Sequence, residues 1–127
     1  MFSILMDKTI CLTRGDIANI EVSAKTTDGR AHTFKAGDVV RLLVYKKRDV
    51  TCEVIKKDVL VNEPTQTVCI HLDRDDTRFV NLSSYPVEYW YQIELNPDTA
   101  PQTIVGHDAH GGKIFRIYPG GGEVNER

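Results

Sequence analysis

The densest group of potential metal ligands lies towards the end of the sequence, in the segment GHDAHGG. His107, Asp108 and His110 stand close together there, flanked by glycines. Zinc accepts imidazole and carboxylate ligands, but on a shaped scaffold with characteristic spacings. This spacing matches none of them, and the sequence has neither an HExxH motif nor a cysteine pair to support it. We therefore expect a solvated hairpin loop and predict no bound metal or other cofactor.

A second group of oxygen ligands, Asp73, Asp75 and Asp76, follows a strand-like segment. A calcium-binding EF-hand would need a central glycine and a closing glutamate, and this segment has neither. Aspartate also caps helices, because its side chain accepts backbone N–H groups that the first turn leaves free. The pattern predicts a short capped helix, with Phe79 and Leu82 facing inward at a spacing of three residues.

Catalytic motifs are missing from the sequence, which has no GxSxG elbow, no P-loop and no Rossmann fingerprint. Its cysteines are Cys11, Cys52 and Cys69, an odd number without a CxxC pair. All three lie in strand-like segments, so we interpret them as small core residues with inert thiols, in a reducing compartment. We predict that the protein is not an enzyme.

The length and charge of the chain limit its possible domain organisation and its possible partners. The chain has 127 residues and a net charge of −2, with basic residues scattered along it. We predict one domain over residues 1–118 with a flexible C-terminal tail over 119–127, and no nucleic-acid or membrane partner. The first apolar run is too short for a signal peptide or a membrane span, so we expect a location in the host cytoplasm or a virion.

The elements that must position these residues are strands, because apolar residues alternate in short runs separated by turn-forming residues. The predicted strands cover residues 8–13, 17–26, 31–34, 39–47, 50–61, 67–72 and 87–95, with a final pair at 102–107 and 113–119. The strand over 50–61 has a possible break at Lys57-Asp58. We predict an all-β fold, an immunoglobulin-like two-sheet antiparallel β-sandwich with one short helical connection. A small barrel is the alternative.

Trp90 is the single tryptophan, and it falls on the polar face of the strand over 87–95 beside Glu88 and Gln92. One interpretation is that a loop or the N-terminal segment covers this face. The other is that Trp90, Glu88 and Gln92 form a partner-binding or sugar-binding surface, since aromatic residues dominate such sites.

Two Gly-Asp corners precede β-branched residues, at Gly15-Asp16 and at Gly37-Asp38, and Asp28-Gly29 is a hairpin signal. The first corner contains Arg14-Gly15-Asp16, the tripeptide of integrin ligands. Because the same corner occurs twice, we predict a structural role. Glycine supplies the unusual backbone angle, aspartate accepts backbone N–H groups, and Arg14 is incidental.

The order of these motifs supports a resemblance. LTRGD, the DG hairpin, HTF before AGDVVRLLV, and then DDTRFVNLSSYPVEYWYQIEL and QTIVGH follow one another. This order resembles small prophage tail-region proteins of Gram-positive bacteria and the N-terminal β-sandwich domain of phage baseplate upper proteins. The shared features are the Gly-Asp corners and a DT turn before a Y-x-Y-x-I strand, here Tyr89, Tyr91 and Ile93. The long extensions of baseplate proteins are missing, which favours a stand-alone accessory protein.

The resemblance implies a non-enzymatic structural or adaptor role, with other phage tail proteins or a second copy of the chain as partners. Two other functions stay open. A carbohydrate-binding module would need a pair of exposed, coplanar aromatic side chains, such as Trp90 with a tyrosine. A small metal-dependent enzyme would need His107, Asp108 and His110 as ligands.

Overall fold

The computed structural model describes residues 2–4, 8–25, 28–47, 49–80, 86–106 and 112–119, without the side chains of 2–4, 49 and 50. Within these ranges the fold is all-β. The strands are β1 (Phe2–Ile4), β2 (Ile10–Thr13), β3 (Ala18–Val22), β4 (Val39–Lys46), β5 (Asp49–Leu60), β6 (Val68–Leu72), β7 (Val87–Leu95), β8 (Gln102–Val105) and β9 (Lys113–Tyr118). One 3₁₀ helix spans Arg74–Thr77. The described part of the chain contains no helix with the length and hydropathy of a membrane span.

The larger sheet has seven strands, in the order β1-β2-β9-β7-β4-β5, with β8 also paired to β7. β7 lies at its centre. One edge of β7 pairs with β4, and the other pairs with β9 along Val87–Tyr91 and with β8 along Ile93–Leu95. The segments predicted as a final hairpin therefore do not pair with each other. Both pair with β7.

The pairing of β2 with β9 is parallel, with Ile10 opposite Phe115 and Leu12 opposite Ile117. The prediction of a wholly antiparallel sandwich was wrong at this point. Strands far apart in sequence can meet in either direction, because no tight turn between them fixes the direction.

The smaller sheet pairs β3 with β6 in antiparallel register. Both strands alternate between buried and exposed residues, as predicted. Ala18, Ile20 and Val22 on β3 are buried, and so are their partners on β6. One core cluster joins the two sheets, and its most buried residues are Ile10, Leu12, Ile20, Phe34, Val40, Leu42, Val44, Ile70, Leu72, Phe115 and Ile117. Each sheet covers the apolar face of the other, which water would otherwise contact.

The first Gly-Asp corner is held by a distant segment. Gly15 has φ +84, and its N–H donates to Oγ1 of Thr77 over 2.8 Å. The guanidinium of Arg14 donates to the carbonyls of Val80, at 2.6 Å, and Arg78, at 2.9 Å. Arg14 is therefore not incidental, and that prediction was wrong. Its side chain holds the end of the 3₁₀ helix against the corner.

The second Gly-Asp corner is stabilised by hydrogen bonds within the corner and with Asn96, which directly follows β7. Gly37 has φ +96, and the carboxylate of Asp38 accepts the N–H of Lys35 over 2.9 Å. The amide of Asn96 donates to Asp38, while its Oδ1 accepts the N–H of Val39. The Lys35 N–H, with help from Asn96, lowers the pKa of Asp38 below its ordinary value.

The turn at Asp28-Gly29 leads into isolated bridges and not into the predicted return strand. Gly29 has φ +85, and Lys25 bridges Ala31 across the turn. Phe34 forms a second isolated bridge, with Thr65. The segment over 31–34 is therefore attached by two isolated bridges and does not form a strand of the smaller sheet.

The short helical connection forms as predicted, but the side chains that face the core are not the predicted ones. Thr77 and Val80 are buried, whereas Phe79 is 41% exposed and packs edge-on against Tyr89. Leu82 lies outside the described residues. The carboxylate of Asp76 caps the helix by accepting the N–H of Asp73. The spacing of three residues is kept, but the inward pair lies two residues earlier than predicted, and the N–H of Val80 donates to the carbonyl of Thr77 over 3.3 Å.

Two further expectations change. β5 continues through Lys57-Asp58, and the irregularity in its pairing with β4 falls between Val44 and Lys46. Of the cysteines, Cys11 is buried and Cys52 half-buried, but Cys69 is exposed. Cys69 lies on the outward side of β6, between Val68 and Ile70, so strand position alone did not make it a core residue.

Candidate functional site

The candidate metal ligands do not form the site. His107, Asp108 and His110 lie outside the described residues. Among the described residues, no group of three or more His, Cys, Asp or Glu side chains is placed to hold a metal ion. Of the aspartates near the 3₁₀ helix, Asp73 pairs with His71 and Asp76 pairs with Lys57.

The residues predicted to bind a partner lie on the face of the larger sheet that points away from the smaller one. We call this the outer face and define it by alternate residues of the three central strands: Arg41, Leu43 and Tyr45 of β4; Glu88, Trp90, Gln92 and Glu94 of β7; and Ile114 and Arg116 of β9. The residues that alternate with them along the strands are buried in the core, and they include Leu42, Val44, Tyr91, Ile93, Phe115 and Ile117.

An apolar row crosses the middle of the outer face. Trp90 stands opposite Tyr45 on one side and opposite Ile114 on the other. Trp90 and Ile114 are half-buried, while Tyr45 is only 3% exposed. The Trp90 and Tyr45 rings meet edge to face, with centroids 6.4 Å apart and planes at 80°. Burial raises the pKa of Tyr45, and the charge of Glu94 raises it further.

On one side of the apolar row, Glu88 forms ion pairs with two basic residues, Lys47 and Arg116. The carboxylate of Glu88 accepts from Nζ of Lys47 at 2.8 Å and from Nε of Arg116 at 2.8 Å. The Lys47 bond and then the Arg116 bond lower the pKa of Glu88. Glu88 therefore stays ionised down to a lower pH than an isolated glutamate would.

On the other side, Arg41 bridges two carboxylates. Its guanidinium meets Asp58 through two bonds, of 2.7 and 3.0 Å, and reaches Asp98 at 2.9 Å. These bonds raise the pKa of Arg41 and lower that of Asp58. The Arg41 side chain is 13% exposed, so its position is fixed by its neighbours. Leu43 and Gln92 lie between the apolar row and the Arg41 group, whereas Glu88 follows Trp90 directly on the same face of β7.

Of the three residues predicted for this site, the structure places Glu88, Trp90 and Gln92 on one face of β7. Tyr45 and Ile114, the two cross-strand neighbours of Trp90, were not predicted from the sequence. Strand alternation places each on the side opposite its buried neighbours Val44 and Phe115. Only the pairing register places them beside Trp90, and no tight turn in the sequence fixes that register.

Comparisons with protein-family models, with curated proteins and with solved structures found no match for this chain.

Proposed function

We propose that this chain is a non-enzymatic structural or adaptor protein of a phage or prophage tail or baseplate region, and that it acts through protein–protein contacts made by the outer face. The observation that carries the proposal is the apolar row of Tyr45, Trp90 and Ile114, bounded on both sides by ion-paired residues.

The layout of the outer face is that of an interface core with a polar rim. Interfaces concentrate aromatic residues at a centre from which water is excluded, and charged residues gather around it. Tryptophan and tyrosine are enriched among the residues that dominate binding energy. Here the half-buried Trp90 is braced edge-on by a buried Tyr45, so little side-chain freedom remains for a partner to remove.

The ion-paired residues around the apolar row favour a specific partner over non-specific association. Glu88, Lys47 and Arg116 are joined to one another, and so are Arg41, Asp58 and Asp98. A partner that does not match these fixed charges would strip water from them without replacing it, and this costs binding energy.

The immunoglobulin-like architecture belongs to the same proposal. We compare the order β9-β7-β4-β5, facing β3-β6, with strands G, F, C and C′ facing B and E of a variable-type domain, and this comparison supports an immunoglobulin-like sandwich. In that comparison β7 takes the place of strand F, and the outer face belongs to the G-F-C-C′ sheet.

The geometry of the aromatic row weighs against a sugar-binding platform. Flat stacking on a sugar needs coplanar rings that are open to solvent, whereas Tyr45 is 3% exposed and stands at 80° to Trp90. We therefore propose other tail proteins, or a second copy of this chain, as partners, in the virion or in the host cytoplasm.

The test compares the wild-type chain with Trp90→Ala and with Gln92→Arg, which places a new charge beside Trp90. Sedimentation velocity over a range of concentrations measures self-association, and capture from an induced phage lysate with mass spectrometry measures binding to tail proteins. Ile17→Ser is the matched control, because Ile17 is 52% exposed and lies outside the outer face. We expect both outer-face variants to weaken association at least about tenfold, the equivalent of 1.4 kcal/mol, and the control to behave as wild type.

Thermal melts show whether each variant is folded. A wild-type chain that stays monomeric and captures no tail protein would contradict the proposal. So would folded outer-face variants that associate as strongly as the control.

A further inference from the structure

The two ends of the outer face carry opposite charge, and one of them is positive. Glu88 lies there between Lys47 and Arg116, and a side-chain nitrogen of each comes within 2.8 Å of its carboxylate. Two cations therefore share one carboxylate. Both cationic side chains are partly exposed, so they can meet a second molecule. We call these three residues the positive end.

The opposite end of the outer face is negative. Arg41 binds the carboxylates of Asp58 and Asp98 there, and Glu94 stands opposite Arg41 in the pairing of β4 with β7. These four residues, which we call the negative end, have three carboxylates and one guanidinium. The side chain of Asp98 is largely exposed, so its charge is available to a second molecule.

The two ends lie at equal distances from the middle of the outer face. Along β7 the outer residues run from Glu88 to Glu94, so the midpoint falls at Tyr91. On β4 it falls at Val44, the partner of Tyr91. A two-fold axis that crosses the strands at this level therefore exchanges the positive end of one copy with the negative end of another.

Two symmetric arrangements are possible when the outer faces of two copies stack with their strands aligned. Sheets packed in this way keep their strands within about 30° of each other, and a two-fold axis in the interface relates the copies. An axis along the strands places each end on the same end of the other copy. An axis across the strands places unlike ends together, with the two β7 strands antiparallel. The charges favour the second arrangement.

The crossing of the stacked sheets brings individual opposite charges together in the second arrangement. A rotation of about 30° moves a residue three positions from the midpoint sideways by about one strand spacing. Lys47 lies at the level of Arg41 of the other copy. A shift in either direction places Lys47 over a carboxylate, because Asp58 and Glu94 are the two neighbours of Arg41 across the sheet.

The apolar row is covered in the same arrangement. The axis places Trp90 of one copy at the level of Gln92 of the other, and Tyr45 at the level of Leu43. Leu43 is apolar and half-buried. Each copy therefore covers the row of the other and removes it from water, which favours association.

We propose that the partner of the outer face is a second copy of this chain, stacked face to face with β7 antiparallel, so that the positive end of each copy meets the negative end of the other. The inference rests on the proposed function, in which the outer face makes protein–protein contacts, and it names the partner. The dimer contains the contact between unlike ends twice, so each substitution acts twice.

A double-mutant cycle tests both the partner and the orientation. Lys47→Glu makes the positive end negative, and we expect it to weaken dimerisation about tenfold, measured by sedimentation equilibrium. Asp98→Lys should weaken dimerisation less, because it only neutralises the negative end. The two changes together should give tighter dimers than Lys47→Glu alone, since the altered ends meet. Glu21→Lys is the matched control, because Glu21 is exposed on the outward side of the smaller sheet.

Salt provides a measurement that needs no variant. Because salt screens the attraction between unlike ends, raising NaCl from about 50 to about 500 mM should weaken dimerisation of the wild-type chain. Like ends in contact would give the opposite dependence.

Three results would overturn the inference. One is a wild-type chain that stays monomeric; if that monomer still captures tail proteins through Trp90, the proposed function stands without the inference. Another is additive effects of Lys47→Glu and Asp98→Lys in variants that thermal melts show to be folded, because additivity means that the two ends do not meet. The third is dimerisation that salt strengthens.

Discussion

The two Gly-Asp corners look alike in sequence but are held by different parts of the molecule. Gly15 and Gly37 share a positive φ, of +84 and +96, and each corner leads into a strand. At the first, the corner residues Arg14 and Gly15 bind a segment more than 60 residues away. At the second, Asp38 binds the N–H of Lys35, three residues before it, and the side chain of Asn96.

This difference shows how far a local motif determines structure. The glycine conformation belongs to the motif, because only glycine adopts such angles at little cost. The side chain that stabilises the corner belongs to the tertiary environment. In the first corner that side chain is the arginine of the Arg-Gly-Asp tripeptide, and its guanidinium is bound to carbonyls of the same chain. The arginine that integrin recognition would need therefore already has an internal role.

The largest effect should come from Arg14→Ala. This change removes the donors to the carbonyls of Val80 and Arg78, and hydrogen bonds from charged groups contribute about 1.5–3 kcal/mol each. We expect a loss of about 3 kcal/mol in the free energy of unfolding, measured by urea denaturation. Arg30→Ala is the matched control, since the Arg30 side chain is 85% exposed. Equal, small losses for both variants would show that the first corner does not depend on its arginine.

A smaller effect is expected at the second corner from Gly37→Ala. A Cβ there would meet nothing within 4 Å, so the cost is only that of a left-handed backbone, about 1 kcal/mol. Gly29→Ala should cost the same, because Gly29 has φ +85 and equally open surroundings. Urea denaturation of both variants provides the measurement. A much larger loss at Gly37 alone would mean that the second corner is coupled to the fold in the way the first one is.

The smallest effect is expected from Asp38→Asn, and it should depend on pH. The folded-state pKa of Asp38 is lowered, first by the Lys35 N–H, so its ionised form stabilises the fold above the ordinary pKa of about 4. That contribution is lost as pH falls through the folded-state value. Melting temperatures of wild type and variant should therefore differ most near neutral pH and converge in acid. A gap that widens on acidification would reverse the assigned sign.

The sequence predicted the parts of the fold that depend on alternation within one strand. The buried faces of β3, β6 and β7 follow directly from every second residue being apolar. It did not predict contacts that depend on register between distant strands, such as the parallel pairing of β2 with β9. A shift of one residue in register turns every side chain to the other face, and only packing decides between such alternatives.

The same limit applies to the candidate site. Trp90 could be picked out from the sequence as an aromatic residue among polar neighbours. The apolar row that it forms with Tyr45 and Ile114 could not, because the three residues lie on three different strands. No spacing in the sequence brings these three strands together, because packing between distant segments decides the register in which they pair.

The parallel pairing of β2 with β9 has a consequence for the way the chain folds. Ile10 and Phe115 are about 100 residues apart, and closing a loop of that length costs on the order of 4 kcal/mol in chain entropy. During synthesis β2 has only β1 as a neighbour in the sheet until β9 leaves the ribosome. We therefore expect the sheet to be completed late, after translation of the domain, and refolding to be slow for a chain of this size.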